Sequence, residues 1–363
     1  MAVIPTSSDS SPGGRPPGES LTGSHSPSPA HTEASDRFQI LALDGGGAKA
    51  LFTAHVLARL EEDLGVRIQD CFDLVAGTSA GGIVALALGA GLRPAEIVEH
   101  YQQLIATVFP ASRRTWRSRL AQLNSPIYDA DVLRTALQDV LGAELLGQST
   151  MRLVIPSWDV QARGVHIFKT PHHARLRRDW RIPMVDVALA TSAAPLYFPA
   201  AAVDGHRLID GGVWANNPSV VAIAEALSML DVPLSAIRVL NIGTIDQLSY
   251  HPRRRDRGGL LQWMKPIAPL ILDAGSRGGQ GLAEHLVGKD NFIRFDALVP
   301  GGLYSLDAAD PADVAGLAAA VSRNLSPLFT ERFGGHSAEP YLPLYGPDAD
   351  SASSPTEASD ATR

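Results

Sequence analysis

Three short glycine-bearing segments carry the residue types of nucleophilic ester chemistry. Gly77-Thr78-Ser79-Ala80-Gly81 has the G-x-S-x-G spacing. Placed between a strand and a helix, that spacing makes a sharp turn that holds a serine hydroxyl out at a helix N-terminus. The same five residues also suit a packing turn whose serine merely caps a helix. Asp44-Gly45-Gly46-Gly47-Ala48-Lys49-Ala50 presents backbone N–H groups without side chains over them. Such groups, with a helix dipole behind them, suit a developing oxyanion. A phosphate loop is the rival reading, but the spacing matches neither G-x-G-x-x-G nor G-x-x-x-x-G-K-[ST]. Asp210-Gly211-Gly212 follows the apolar pair Leu208-Ile209 and is expected on a loop. A serine hydroxyl needs a base to become a nucleophile, and a partly desolvated aspartate in contact with it can serve. An ordinary Asp-Gly turn remains the plain alternative.

These segments need elements to position them. Phe38–Leu43 reads as a buried strand ending at Asp44, and Phe72–Ala76 as a second one ending just before the Ser79 turn. Leu51, Leu57, Leu60 and Leu64 recur at helical spacing, with Gly65 as a stop. Ile83–Leu88 reads as a buried helix. Pro94 opens another, with Ile97, Tyr101, Leu104 and Ile105 on one face, and Asp129–Leu141 is a further amphipathic helix. Met151–Ile155 and Val165–Phe168 read as strands with a turn at Gly164, Pro183–Ala194 as a helix and Ile237–Ile242 as a strand. Leu260–Val287 and Ala312–Phe329 read as helices. Alternating strands and helices predict an α/β fold with a mostly parallel sheet, in which ligands bind at the carboxyl ends of strands. The first two segments fall there.

The three segments, in this order, resemble those of patatin-like phospholipases. The resemblance runs from about Phe38 to Ile242 and includes Ala193-Ala194-Pro195 and Asn216-Asn217-Pro218. Ala50 stands where the family usually has glycine. The resemblance implies a three-layer patatin-like fold, with a mostly parallel central sheet flanked by helices. It also implies a lipid acyl hydrolase with a Ser-Asp dyad and no catalytic histidine. On that pattern Ser79 is the nucleophile and Asp210 the base. Gly45, Gly46, Gly47 and Ala80 supply oxyanion N–H groups, while Gly77, Gly81, Gly211 and Gly212 shape the turns. Lys49 matches the family's basic position, either bracing the oxyanion loop or meeting an anionic headgroup. A narrower resemblance is to patatin-like effectors of bacterial antiphage systems, in which a cyclic nucleotide switches on hydrolysis of membrane phospholipid. The expected chemistry needs no metal and no cofactor. The rivals are a hydrolase with a Ser-His-Asp triad, for which His206, His251, His285 and His336 are candidates, and a non-catalytic scaffold that binds lipid or nucleotide.

Composition bounds the partners. The chain has 363 residues, 45% of them hydrophobic, with a net charge of -7, a balance that argues against a nucleic-acid polymer as ligand. Cys71, the single cysteine, excludes a disulfide framework and a cysteine-based zinc site, and the adjacent His172-His173 make no metal site. Residues 1–35 contain 22 Ser, Thr, Pro or Gly and no signal-peptide core, and residues 346–363 are acidic and lack large apolar side chains. Both are expected to be disordered, leaving 36–345 as the folded domain. Leu74–Leu92 is uncharged over 19 residues, but five are glycine, so a strand, a turn and a buried helix fit better than a membrane span. A cytoplasmic protein acting peripherally at the membrane follows, with its oligomeric state open. Arginine clusters at Arg113, Arg114, Arg117 and Arg119 and at Arg253, Arg254, Arg255 and Arg257 read first as solvated loops, and second as sites for anionic lipid or nucleotide phosphate.

Overall fold

A computed structural model describes residues 37–110, 125–248, 257–259, 263, 267–300 and 304–347. The arginine cluster at 113–119, Arg253–Arg255, His251, the expected tail at 1–35 and all but residues 346 and 347 of the expected tail at 346–363 lie outside them.

β1 (Phe38–Leu43) and β2 (Leu74–Gly77) pair in parallel at the sheet centre. β3 (Leu153–Asp159) runs parallel to β2, β7 (Ile237–Leu248) to β1, and β8 (Phe292–Pro300) to β7. β4 (Gly164–Lys169), β5 (Ala201–Val203) and β6 (His206–Asp210) complete the sheet in antiparallel pairing, in the order β5-β6-β3-β2-β1-β7-β8 with β4 on β3. Both faces are covered, so the central strands read as mostly apolar runs. Leu41, Leu43, Val75 and Ile155 point into a core with helices α1 (Leu51–Leu64), α2 (Ala80–Gly89), α3 (Pro94–Val108), α4 (Ala130–Leu141) and α5 (Met184–Ser192). Ile40, Ala42, Leu74, Ala76 and Val154 point the other way, onto α6 (Ser219–Met229) and α7 (Ile267–Val287). The layering is the α/β, mostly parallel arrangement expected. α8 (Pro311–Phe333) brings Phe329 and Phe333 against Phe72, at ring-centroid distances of 6.4 and 6.0 Å.

Several expectations need correction. Phe72 is a core residue ahead of β2, not part of it. Gly164 begins β4, and the turn before it has Arg163 at φ 52°. Asp210 does not sit on a loop: it ends β6, which periodicity misses because His206 and Arg207 are polar. β5 and β8 are likewise too short or too mixed in pattern to read, and α6 follows Asn216-Asn217-Pro218 without its own sequence signal.

Candidate active site

The elbow is built by close backbone packing. β2 ends at Gly77, α2 begins at Ala80, and Ser79 between them has φ 54°, ψ -123°. That left-handed conformation is strained for serine and persists where its surroundings over-determine it. Here they do. The Ser79 N–H donates to Thr191 Oγ1 (3.0 Å), whose hydroxyl donates to Pro156 O (2.6 Å). The Thr78 N–H donates to Leu43 O (3.1 Å) and its hydroxyl to Ala215 O (2.7 Å). A Cβ on Gly77 would lie 2.7 Å from Gly81 C, and one on Gly81 would lie 2.6 Å from Asp44 O. Glycine at both positions is therefore a condition for strand and helix to meet this tightly.

Asp210 reaches the elbow from the antiparallel end of the sheet, opposite Ser157 on β3. Its N–H donates to Ala193 O (3.0 Å). Ser79 Oγ donates to Asp210 Oδ2 at 2.6 Å, and the Gly212 N–H donates to Oδ1 at 2.6 Å. Burial pushes the Asp210 carboxyl up to about 6, against the lowering effect of those two donors. A buried aspartate touching a serine can take that serine's proton at neutral pH, where it is ionised, and return it afterwards. Gly211 is needed because a Cβ there would lie 2.6 Å from Pro156 C.

The triple glycine lies across from this pair. The Gly45 N–H donates to Asn216 O (3.0 Å), so Gly45 is removed from the expected oxyanion donors. Its N–H is spent holding the loop to the segment after Asp210. Among the described residues, the N–H groups of Gly46 and Gly47 have no such partner, and Ala80 opens α2. Gly47 has φ 56°, and a Cβ there would overlap the Leu306 carbonyl, which accepts the Ala48 N–H at 2.8 Å. Gly46 is different: its φ of -173° is open to any residue, and a Cβ would instead meet the buried Thr244 side chain, 3.0 Å from Thr244 Oγ1. Gly46→Ala is therefore expected to lower kcat about 10²–10³-fold by displacing the loop's N–H groups. Adding Thr244→Ala, which removes the crowding Cγ2 and Oγ1 atoms and leaves only Cβ, should recover part of that loss. If the glycines were a packing turn only, Gly46→Ala would lower Tm while leaving the kcat of the folded protein unchanged.

Behind the loop stands a buried network that the sequence did not signal. Asp44 accepts from Asn241 Nδ2 (2.7 Å), Ser276 Oγ (2.5 Å) and Arg294 (2.8 Å). Arg294 also donates to Asp296 at 2.8 Å. Burial alone would lower the Arg294 pKa, but Asp44 and Asp296 reverse this and hold it above its ordinary value. These partners come from β7, α7 and β8, more than 190 residues beyond Asp44 in the chain, so no local pattern could reveal them. Lys49 Nζ donates to Ile245 O at 3.1 Å, and burial lowers its pKa. Of its two expected roles, this contact favours bracing the loop.

The remaining candidates lie elsewhere. Among the described residues no histidine bonds to Ser79 or Asp210: His206 pairs with Asp159 (2.7 Å) and His336 with Asp73 (2.8 Å). Cys71 is buried, its thiol pushed up to about 11 chiefly by that burial. No described helix is long and apolar enough to cross a membrane.

A strained serine elbow facing a buried aspartate and a glycine loop defines a serine acyl hydrolase of the patatin type, and the comparisons agree. The patatin-like phospholipase family matches residues 41–223. A cGAMP-activated phospholipase of Vibrio cholerae is 31% identical over 84% of this chain and 94% of its own length. One of Pseudomonas aeruginosa is 32% identical over 86% of this chain and 96% of its own length. Among solved structures, VipD from Legionella pneumophila is 12% identical with a TM-score of 0.43, covering 81% of this chain and 67% of that one. The chain belongs to the patatin-like phospholipase family of lipid acyl hydrolases.

Proposed function

We propose that this protein hydrolyses fatty-acyl esters of membrane phospholipids through a Ser79–Asp210 dyad, working peripherally at the bilayer, and that cGAMP activates it as part of antiphage defence. The 2.6 Å contact between a strained serine and a buried aspartate carries the catalytic part. The names of the Vibrio and Pseudomonas relatives support the activator.

In this reading Asp210 takes the Ser79 proton as Oγ attacks the ester carbonyl. The N–H groups of Gly46, Gly47 and Ala80 face the resulting oxyanion. Collapse breaks the ester bond, the alcohol side leaves with the proton from Asp210, and the acyl group stays on Ser79. Asp210 then deprotonates a water, which releases the free fatty acid and restores the serine.

Release of fatty acid from phospholipid vesicles, with and without cGAMP and across pH, tests this reading. Because Asp210 must be ionised to accept a proton, cGAMP-stimulated activity should fall as pH drops through about 6. An acid limb centred near 4 would mean that another group is the base. No fatty acid release at any pH, with cGAMP present, would overturn the hydrolase reading.

A further inference from the structure

The end of α5 meets both halves of the dyad. Thr191 is the penultimate residue of that helix and is fully buried, at 0% exposure. Carbonyls at a helix C-terminus have no partner further along the helix, and here the Asp210 segment supplies one. The Gly211 N–H donates to Thr191 O (3.2 Å), while the Asp210 N–H donates to Ala193 O just beyond (3.0 Å).

The Thr191 side chain reaches the other half. A serine or threonine inside a helix can bond back to the carbonyl four residues earlier. The neighbouring Ser192 does so, donating to Ala188 O at 2.6 Å. Thr191 instead leaves its helix: its hydroxyl accepts the Ser79 N–H (3.0 Å) and donates to Pro156 O on β3 (2.6 Å). The same Pro156 carbonyl is what a Cβ on Gly211 would strike. The Thr191 methyl has a separate job. Its Cγ2 lies 2.9 Å from where a Gly82 Cβ would sit, so it packs on α2. One buried residue therefore bonds the nucleophile's backbone through its hydroxyl and the base's segment through its carbonyl.

Ser79 and Asp210 are 131 residues apart in the chain, and their side chains meet at 2.6 Å only if both backbones are fixed. A serine at φ 54° relaxes unless it is held, and a displacement of about 1 Å can cost about 10²-fold in rate. We infer that Thr191 is a positioning residue for hydrolysis: its hydroxyl fixes the Ser79 backbone against the Asp210 segment and so sets the contact through which the serine proton leaves. This rests on the proposed Ser79–Asp210 hydrolysis.

Substitutions at this one position separate the hydroxyl from the packing. Thr191→Val keeps the branched shape without the hydroxyl. Thr191→Ser keeps the hydroxyl without the methyl, and Thr191→Ala keeps neither. The full chain is assayed on phospholipid vesicles with cGAMP present, below the Tm of every variant. Thr191→Val should lower kcat about 10²-fold with KM within about twofold of wild type, and should slow fluorophosphonate labelling of Ser79 by a similar factor. Thr191→Ser should stay within about fivefold of wild type, whereas Thr191→Ala should fall as far as valine. Serine and alanine differ only in the hydroxyl, so that pair carries the test even if the valine variant does not fold. Equal rates for serine and alanine would make Thr191 a packing residue and overturn the inference. A valine variant with wild-type kcat overturns it too, as does a rise in KM without a fall in kcat. A wild type that is labelled at Ser79 but releases no fatty acid refutes the phospholipase reading, and the labelling rates of the variants then decide the role of Thr191 on their own.

Discussion

Ser79→Ala is expected to lower phospholipid hydrolysis by at least about 10⁴-fold and to abolish labelling by a fluorophosphonate. The hydroxyl is the atom that must form the acyl bond, and among the described residues nothing else stands at the elbow to replace it. The fold should survive, because the contacts that hold the turn are made by the Ser79 N–H and by Thr78. Two secondary effects follow. Asp210 loses a hydrogen bond that favours its ionised form, so the alanine variant should be somewhat less stable than wild type above pH 6. Alanine also keeps the strain of φ 54°, whereas glycine does not. Ser79→Gly should therefore melt above Ser79→Ala, by an amount corresponding to about 1 kcal/mol. Residual hydrolysis near wild type would sink the dyad, and equal melting of the two variants would remove the argument from strain.

Asp210→Asn should be nearly as damaging to activity, since an amide keeps the shape but accepts no proton. The pair works as a unit, so the double variant should be barely worse than either single one. Losses that multiplied would mean the two residues act independently. The same substitution should make the protein more stable. The native Asp210 carboxyl holds its proton up to about pH 6, against an ordinary value of 3.8. Its protonated form therefore favours the native state below pH 3.8. That advantage is lost as pH rises, and above about 6 the buried charge costs the native state about 3 kcal/mol, at 1.36 kcal/mol per pKa unit. Asparagine avoids that cost while keeping both contacts: its carbonyl can accept the Gly212 N–H, and its NH₂ can donate to Ser79 Oγ. Tm should rise by roughly 5 °C at pH 8, with about half the gain at pH 5. Loss of activity together with loss of stability at pH 8 would indicate that Asp210 serves mainly to hold the turn.

The parts of this site that are contiguous in sequence were legible in sequence. Ser79 could be named because a strand, a serine between spaced glycines and a helix lie within about a dozen residues, and that geometry is made by neighbours. Gly45-Gly46-Gly47 could be placed after a strand for the same reason, and the apolar runs of β1 and β7 follow from burial on both faces. What needed the tertiary structure was everything set by long-range contact. Asp210 reads as a loop residue because β6 is short and half polar, and its strand is defined by pairing with β3 and β5. Gly45 looked like an oxyanion donor until Asn216, from the far side of the site, took its N–H. Arg294 and Asn241 gave no local sign of holding Asp44, since a buried ion pair depends on where strands end and not on spacing along the chain. Sequence determined which chemistry was available, because residue type and local spacing carry it. The fold decided which N–H groups and which carboxylate face the reacting serine, because those directions come from contacts between segments tens to hundreds of residues apart.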